Sequence, residues 1–207
     1  MSSGGDFLSA WEKYQYIVAT ALSIIAIVVA VVTAIVAWKI YQFQKRDRQK
    51  EVLSSVASEF YAMFIKNFDD LYEKLMPIAL KKEQATVEKC LMLLTEYPLK
   101  ADFPYWNQNT GSILSILAEK HPNEEFLGRW SAMETFVRTA QKFTIRISSL
   151  KKDLVDAKGN GKTYFVDVNE SSMNRPYIGF AQDVLTEMKE TIEKLPDDLP
   201  IRSLKKE

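Results

Sequence analysis

The chain of 207 residues holds one cysteine, Cys90, and one histidine, His121, and any search for chemistry starts with those two. A structural zinc site takes four Cys or His ligands, so two such residues exclude the usual sets. A Cys–His nucleophile pair would have to join Cys90 to His121. Cys90 lies in an apolar helical stretch, where a thiol reads as a small buried hydrophobe rather than a nucleophile. His121 stands before Pro122 at a predicted helix end, a place where histidines meet terminal carbonyls. The acidic pairs Asp69-Asp70 and Asp197-Asp198 read as solvated faces rather than metal carboxylates. Lys158 to Thr163, with the sequence KGNGKT, ends like a phosphate loop. That motif needs glycine where this chain has Asp156, and a buried strand leading into it. No catalytic set, metal site or cofactor is expected.

The elements that would position such groups come next. Lysine plus arginine number 27 and aspartate plus glutamate 27, so net charge carries no cue for nucleic acid. A single cysteine forms no internal disulfide and suits a reducing compartment. Seven Gly and seven Pro argue against a turn-rich β chain, and long apolar repeats at helical spacing predict an all-α fold. Ile17 to Ala37 contains no charge, no Gly and no Pro. At 1.5 Å per residue it matches the ~20 residues that cross a hydrocarbon core, and predicts a single N-terminal transmembrane helix. Trp11, Tyr14 and Tyr16 precede the span, and Trp38, Tyr41 and Phe43 follow it, as interfacial aromatics do. The apolar run is too long, and its N-terminal flank too poor in positive charge, for a cleaved signal peptide.

Lys39, Lys45, Arg46, Arg48 and Lys50 crowd one side of the span, against Lys13 on the other. The positive-inside rule then puts the N-terminus outside and the chain from Lys39 onward in the cytoplasm, at the inner membrane. The cluster reads first as this topology signal. Contact with anionic lipid, at ~1 kcal/mol per basic residue near the surface, is its second reading. Within the span Ala19, Ser23, Ala26, Ala30, Thr33 and Ala37 recur at spacings 4, 3, 4, 3, 4. That rhythm sets them along one stripe, where small residues let helices approach closely in lipid. The expectation is a homo-oligomer whose interface in the membrane is this stripe; the abundance of Ala in membrane helices is the competing explanation.

No Gly or Pro interrupts the chain between Gly5 and Pro77, which predicts that the helix runs on as one rod, straight or bent. Leu53, Ala57, Phe60, Phe64, Phe68, Leu71 and Leu75 form its apolar stripe. Pro77 is expected to open the next helix, from Ile78 to about Tyr97, stopped by Pro98. Leu99–Asn109 reads as a loop with aromatic anchors, and Tyr105 and Trp106 as a surface for a protein partner. A short helix from about Thr110 to Lys120 follows. Asn123 is expected to cap a long helix with Leu127, Trp130, Val137, Ala140, Thr144, Ile147 and Leu154 on one face. Its basic side reads as an ordinary solvated face, so nucleic acid is not expected as a partner. A turn at Ala157–Lys162, a weak strand at Tyr164–Val168 and a last helix to Leu195 complete the chain. The partition is 1–16 outside, 17–38 span, 39–52 basic flank, 53–195 helical bundle and 196–207 polar tail.

In outline this resembles small bacterial membrane-anchored accessory proteins with an outside N-terminus, one span and a cytoplasmic helical domain. It is similar among them to CRISPR-associated single-span proteins with a HEPN-like domain that assemble into a membrane pore. HEPN ribonucleases carry Arg, about four residues, then His on a helix; here Ile116 stands where that Arg would precede His121. The resemblance therefore implies membrane disruption or depolarisation in antiviral defence without ribonuclease chemistry. The alternative is a membrane-tethered adaptor that recruits a cytoplasmic partner. An enzyme is the least supported reading.

Overall fold

Apolar side chains at spacings of four and three, from Leu53 to Leu75, leave one face of a helix with nothing to do but bury itself. The computed structural model, which describes residues 4–80, 85–121, 123–161 and 177–204, shows that burial. All seven residues of the stripe are 7 % exposed or less. The chain is all-α among the described residues: α1 (Gly4–Phe60), a π-turn (Tyr61–Ile65), α2 (Lys66–Ala79), α3 (Val87–Glu96), α4 (Pro104–Lys120), α5 (Glu125–Gly159), α6 (Tyr177–Glu193) and α7 (Ile201–Leu204). It divides into two compact units, Met1–Lys50 and Glu51–Glu207.

In the second unit α5 is the central helix, packed by α3, α4 and α6, while α2 packs on α3 and α6. The core is aromatic. Phe60 lies 4.7 Å from Phe136 and 5.0 Å from Phe103, centroid to centroid. Phe68 meets Phe143 edge-on at 5.3 Å, and Phe64 meets Phe136 at 5.9 Å. Such edge-to-face pairs add ~0.5–1.5 kcal/mol each beyond the area they bury. The π-turn follows from the same residues. Phe60, Phe64 and Phe68 are spaced four and four, a pattern that drifts ~80° around an α-helix over eight residues. A π-turn closes i→i+5 bonds, here from Lys66 N–H to the Tyr61 carbonyl, and takes up that drift. The Met63 carbonyl in this turn accepts from Lys100 N–H at 3.1 Å, and Asn67 Nδ2 donates to the Pro98 carbonyl at 2.7 Å.

Several expected boundaries move. Pro77 lies inside α2, in its last turn, instead of opening a new helix. There it removes one N–H close to where the helix ends, and Leu80 N–H closes the turn on the Met76 carbonyl at 2.9 Å. The next helix starts only at Val87, capped by Thr86, whose hydroxyl accepts from Lys89 N–H at 3.1 Å. Leu99–Asn109 is a loop only as far as Phe103, because Pro104 takes the first helical position of α4. Asn123 is not a cap. It sits at φ +74, and Glu124 precedes the helix without a side-chain cap bond. Leu127 is 51 % exposed and drops out of the α5 stripe, which Met133, Phe136, Phe143 and Leu150 complete instead. α5 runs to Gly159, and Gly161 supplies the positive φ (+76) that turns the chain away. Lys162, Thr163 and the strand expected at Tyr164–Val168 lie outside the described residues.

Candidate functional site

Helix α1 carries the first candidate. Among the described residues one helix is long and apolar enough to cross a membrane, and none of its apolar window is buried inside the structure. Ile24 is 57 % exposed, Val28 55 % and Val32 53 %, so these side chains belong to no core within the structure. Ala19, Ser23, Ala26, Ala30, Thr33 and Ala37 are all exposed as well. Ser23 Oγ donates to the Ala19 carbonyl and Thr33 Oγ1 to the Val29 carbonyl, both at 2.8 Å. Thr20 does the same to the Tyr16 carbonyl. The hydroxyls are thus satisfied within the helix, so the segment presents a surface without an outward demand for hydrogen bonds. Beyond it Lys39, Arg46, Arg48 and Lys50 are exposed and Lys45 is half-buried.

The second candidate, the aromatic pair Tyr105 and Trp106, is placed differently from the surface expected of it. Trp106 is 4 % exposed, stacked on Trp130 at 5.0 Å and 5.7 Å from Phe60. Tyr105 is half-buried. The reason lies in the start of α4. Phe103 turns the chain at φ +39, Pro104 begins the helix, and the first turn points its N–H groups at Glu59 on α1. One Glu59 oxygen accepts from Tyr105 N–H at 2.7 Å and the other from Trp106 N–H at 2.9 Å. A carboxylate on a helix N-terminus satisfies orphan donors and meets the positive end of the dipole. That contact draws the indole inward. Asp102-Phe103-Pro104, read as a helix start, was the available signal.

Sequence reading missed a third feature. Asp198, taken as a solvated acid, has a side chain only 11 % exposed and sits at the centre of a charged cluster. Arg129 Nη1 donates to it at 2.5 Å, and His121 Nε2 lies 3.0 and 3.1 Å from its two oxygens. Lys120 Nζ is 3.9 Å away. Glu125 closes the ring, 3.5 Å from His121 Nδ1 and 2.9 Å from Arg129 Nη2. Burial pushes the Asp198 carboxyl upward, but the hydrogen bond from His121 and the Arg129 guanidinium outweigh it and hold its pKa below the usual range. His121 therefore meets carboxylates through its side chain, while its backbone N–H bonds the Leu117 carbonyl. Both ring nitrogens face acids, an arrangement that orients and clamps the imidazole. The cluster fastens the segment after α6 to the α4–α5 junction. Leu199 and Ile201 on that segment are 3 % and 6 % exposed, so residues 196–204 are a packed element and not a polar tail. Residues 205–207 lie outside the described set.

Cys90 is 2 % exposed and lines a small apolar cavity of about 30 Å³ with Leu75, Ile78, Leu94 and Leu150. Burial pushes its thiol up to about 11, opposite to the shift a nucleophile needs. It belongs to α3, while His121 ends α4 and is engaged by Asp198. Lys158, from the glycine-rich turn, ion-pairs with Glu88 at 2.9 Å, and that contact lowers the Glu88 pKa. Among the described residues no group of three His, Cys, Asp or Glu side chains could hold a metal ion. Comparison with protein-family models, curated proteins and solved structures finds no match to this chain.

Proposed function

We propose that this protein is a single-pass protein of the inner membrane, with its N-terminus outside and its helical domain in the cytoplasm. It assembles through the small-residue face of its span and acts on membrane integrity, by opening a pore or depolarising the membrane in prokaryotic defence. One observation carries the reading: α1 leaves an uninterrupted apolar surface exposed, with its hydroxyls already satisfied inside the helix. In water a surface of that extent is costly, at ~25 cal/mol per Å², and lipid removes the cost. The basic residues that follow support the orientation. The defence setting rests on the resemblance in outline alone.

The test is made on the full chain in a bacterial host. Alkaline extraction leaves the protein in the membrane pellet, and sizing in mild detergent gives an oligomer. Ala26→Leu with Ala30→Leu breaks that oligomer down, and a potential-sensitive dye reports depolarisation with wild type and none with this variant. Release into the alkaline supernatant would sink the membrane reading. A stable monomer that still sits in the membrane would favour the tethered adaptor, whose partner surface would then lie elsewhere than on the buried Trp106.

A further inference from the structure

The segment just beyond the span has a feature that an orientation signal does not require. From Trp38 to Lys50 the chain carries five basic residues and one acid, Asp47, all within helix α1. At ~100° per residue, Lys39, Arg46 and Lys50 fall within ~40° of one another, with Lys45 and Arg48 on the far side. A helix lying flat in the interface separates a basic face from an apolar one. Here charge encircles the helix, and the exposed rings of Trp38 (61 %), Tyr41 (58 %) and Phe43 (68 %) are distributed around it too. That pattern fits a helix leaving the bilayer steeply, with a collar of charge where it passes the headgroups.

We propose that this collar binds the phosphate groups of anionic phospholipids, with Lys39 and Arg46 as the contacting residues; the proposal rests on the membrane reading of Ile17–Ala37. The distances rank the residues. The headgroup layer is ~5–7 Å deep on each side of the hydrocarbon, and the helix rises ~1.5 Å per residue. Lys39 stands ~3 Å past Ala37, inside that layer. Arg46 stands ~13 Å past it, exposed where the neighbouring Lys45 is half-buried, and reaches back by the length of its side chain, as long basic side chains do at membrane interfaces. Lys50, at ~20 Å, lies about two screening lengths from Ala37 and adds little. The guanidinium of Arg46 matches a phosphate with two parallel N–H donors, while the Lys39 ammonium acts as a point charge.

The experiment uses the full-length protein in lipid nanodiscs of phosphatidylcholine with and without phosphatidylglycerol, reading the phosphatidylglycerol that co-purifies with the protein. Both leaflets of a disc have the same composition, so insertion direction has no influence. Wild type enriches phosphatidylglycerol over the bulk, less so at high salt. Lys39→Gln with Arg46→Gln lowers the enrichment by about fivefold per residue removed, and Lys39→Arg with Arg46→Lys keeps most of it. Lys50→Gln changes it less than twofold. Equal enrichment in wild type and the double Gln variant would overturn the proposal, as would displacement of the lipid by inorganic phosphate at equal ionic strength. Failure of the protein to stay in the discs overturns the membrane reading and this proposal with it. Retention in the discs without enrichment overturns this proposal alone.

Discussion

Two long helical stretches of this protein treat their apolar residues in opposite ways. Ile17 to Ala37 on α1 is apolar all round and exposes its large side chains; α5 is apolar on one face and buries Met133, Phe136, Val137, Ala140, Phe143, Leu150, Leu154 and Ala157. The contrast shows what amphipathicity does. A helix with a polar side can complete a core with neighbours from its own chain, because water accepts the other side. A helix without one has no side that water tolerates, and none of its apolar window is buried within the structure.

The sharpest way to break this comparison is to damage each stretch and see which property fails. Phe136→Ala removes a ring in contact with Phe60, Phe64 and Phe103. It should cost the helical domain ~3–5 kcal/mol in denaturant unfolding and leave membrane retention unchanged as long as the domain folds. Val28→Arg should do the reverse, adding ~2.5–3.5 kcal/mol to the cost of insertion and releasing protein to the soluble fraction. If it instead destabilised the domain as much as Phe136→Ala, the two stretches would be energetically coupled.

Smaller effects sharpen the domain side. Asp198→Ala leaves His121, Arg129 and Lys120 without their shared acid and should cost ~1.5–3 kcal/mol, with proteolysis reporting a loosened C-terminal segment. The pH dependence follows from the depressed Asp198 pKa. Its contribution is complete above the unfolded value of ~3.9 and is lost as pH falls through the lower folded value. Wild type should therefore show a step in acid unfolding that Asp198→Asn lacks. Glu59→Gln keeps one acceptor for the start of α4 but loses the charge and the second acceptor. About 1 kcal/mol is expected, seen as a lower midpoint with unchanged cooperativity. The Cys90 prediction carries no energetic effect at neutral pH and is read first as reactivity. Thiol alkylation at neutral pH should be slow in the folded protein and fast in denaturant. Stability should also fall as pH rises from ~8.5 towards about 11, where the unfolded thiol has lost its proton and the folded one has not.

How much was legible in the residues depended on how local the cause was. The stripe from Leu53 to Leu75 was read correctly because helical spacing is a property of neighbours along the chain. Pro98 follows the end of α3 and Gly161 the end of α5 for equally local reasons, although α5 continues to Gly159, past the Ala157 where the turn was expected to begin. Pro77 was misread because a proline can stand in either the first or the last turn of a helix, and only packing decides; Pro104 was read as part of a loop although it opens α4. Asn123 failed for a related reason, since its side chain suits both a cap and a left-handed turn.

By itself, then, the sequence determined that the fold is helical, that one stretch is long and apolar enough to cross a membrane, and which side of that stretch carries the charge. Each follows from composition and period within about twenty residues. Only the tertiary structure decided that Trp106 is buried, that Glu59 caps α4, and that Asp198 gathers His121 and Arg129. Those contacts join residues 46 to 77 positions apart. No local pattern encodes such a meeting, because it exists only once the core has closed and brought the chain back on itself.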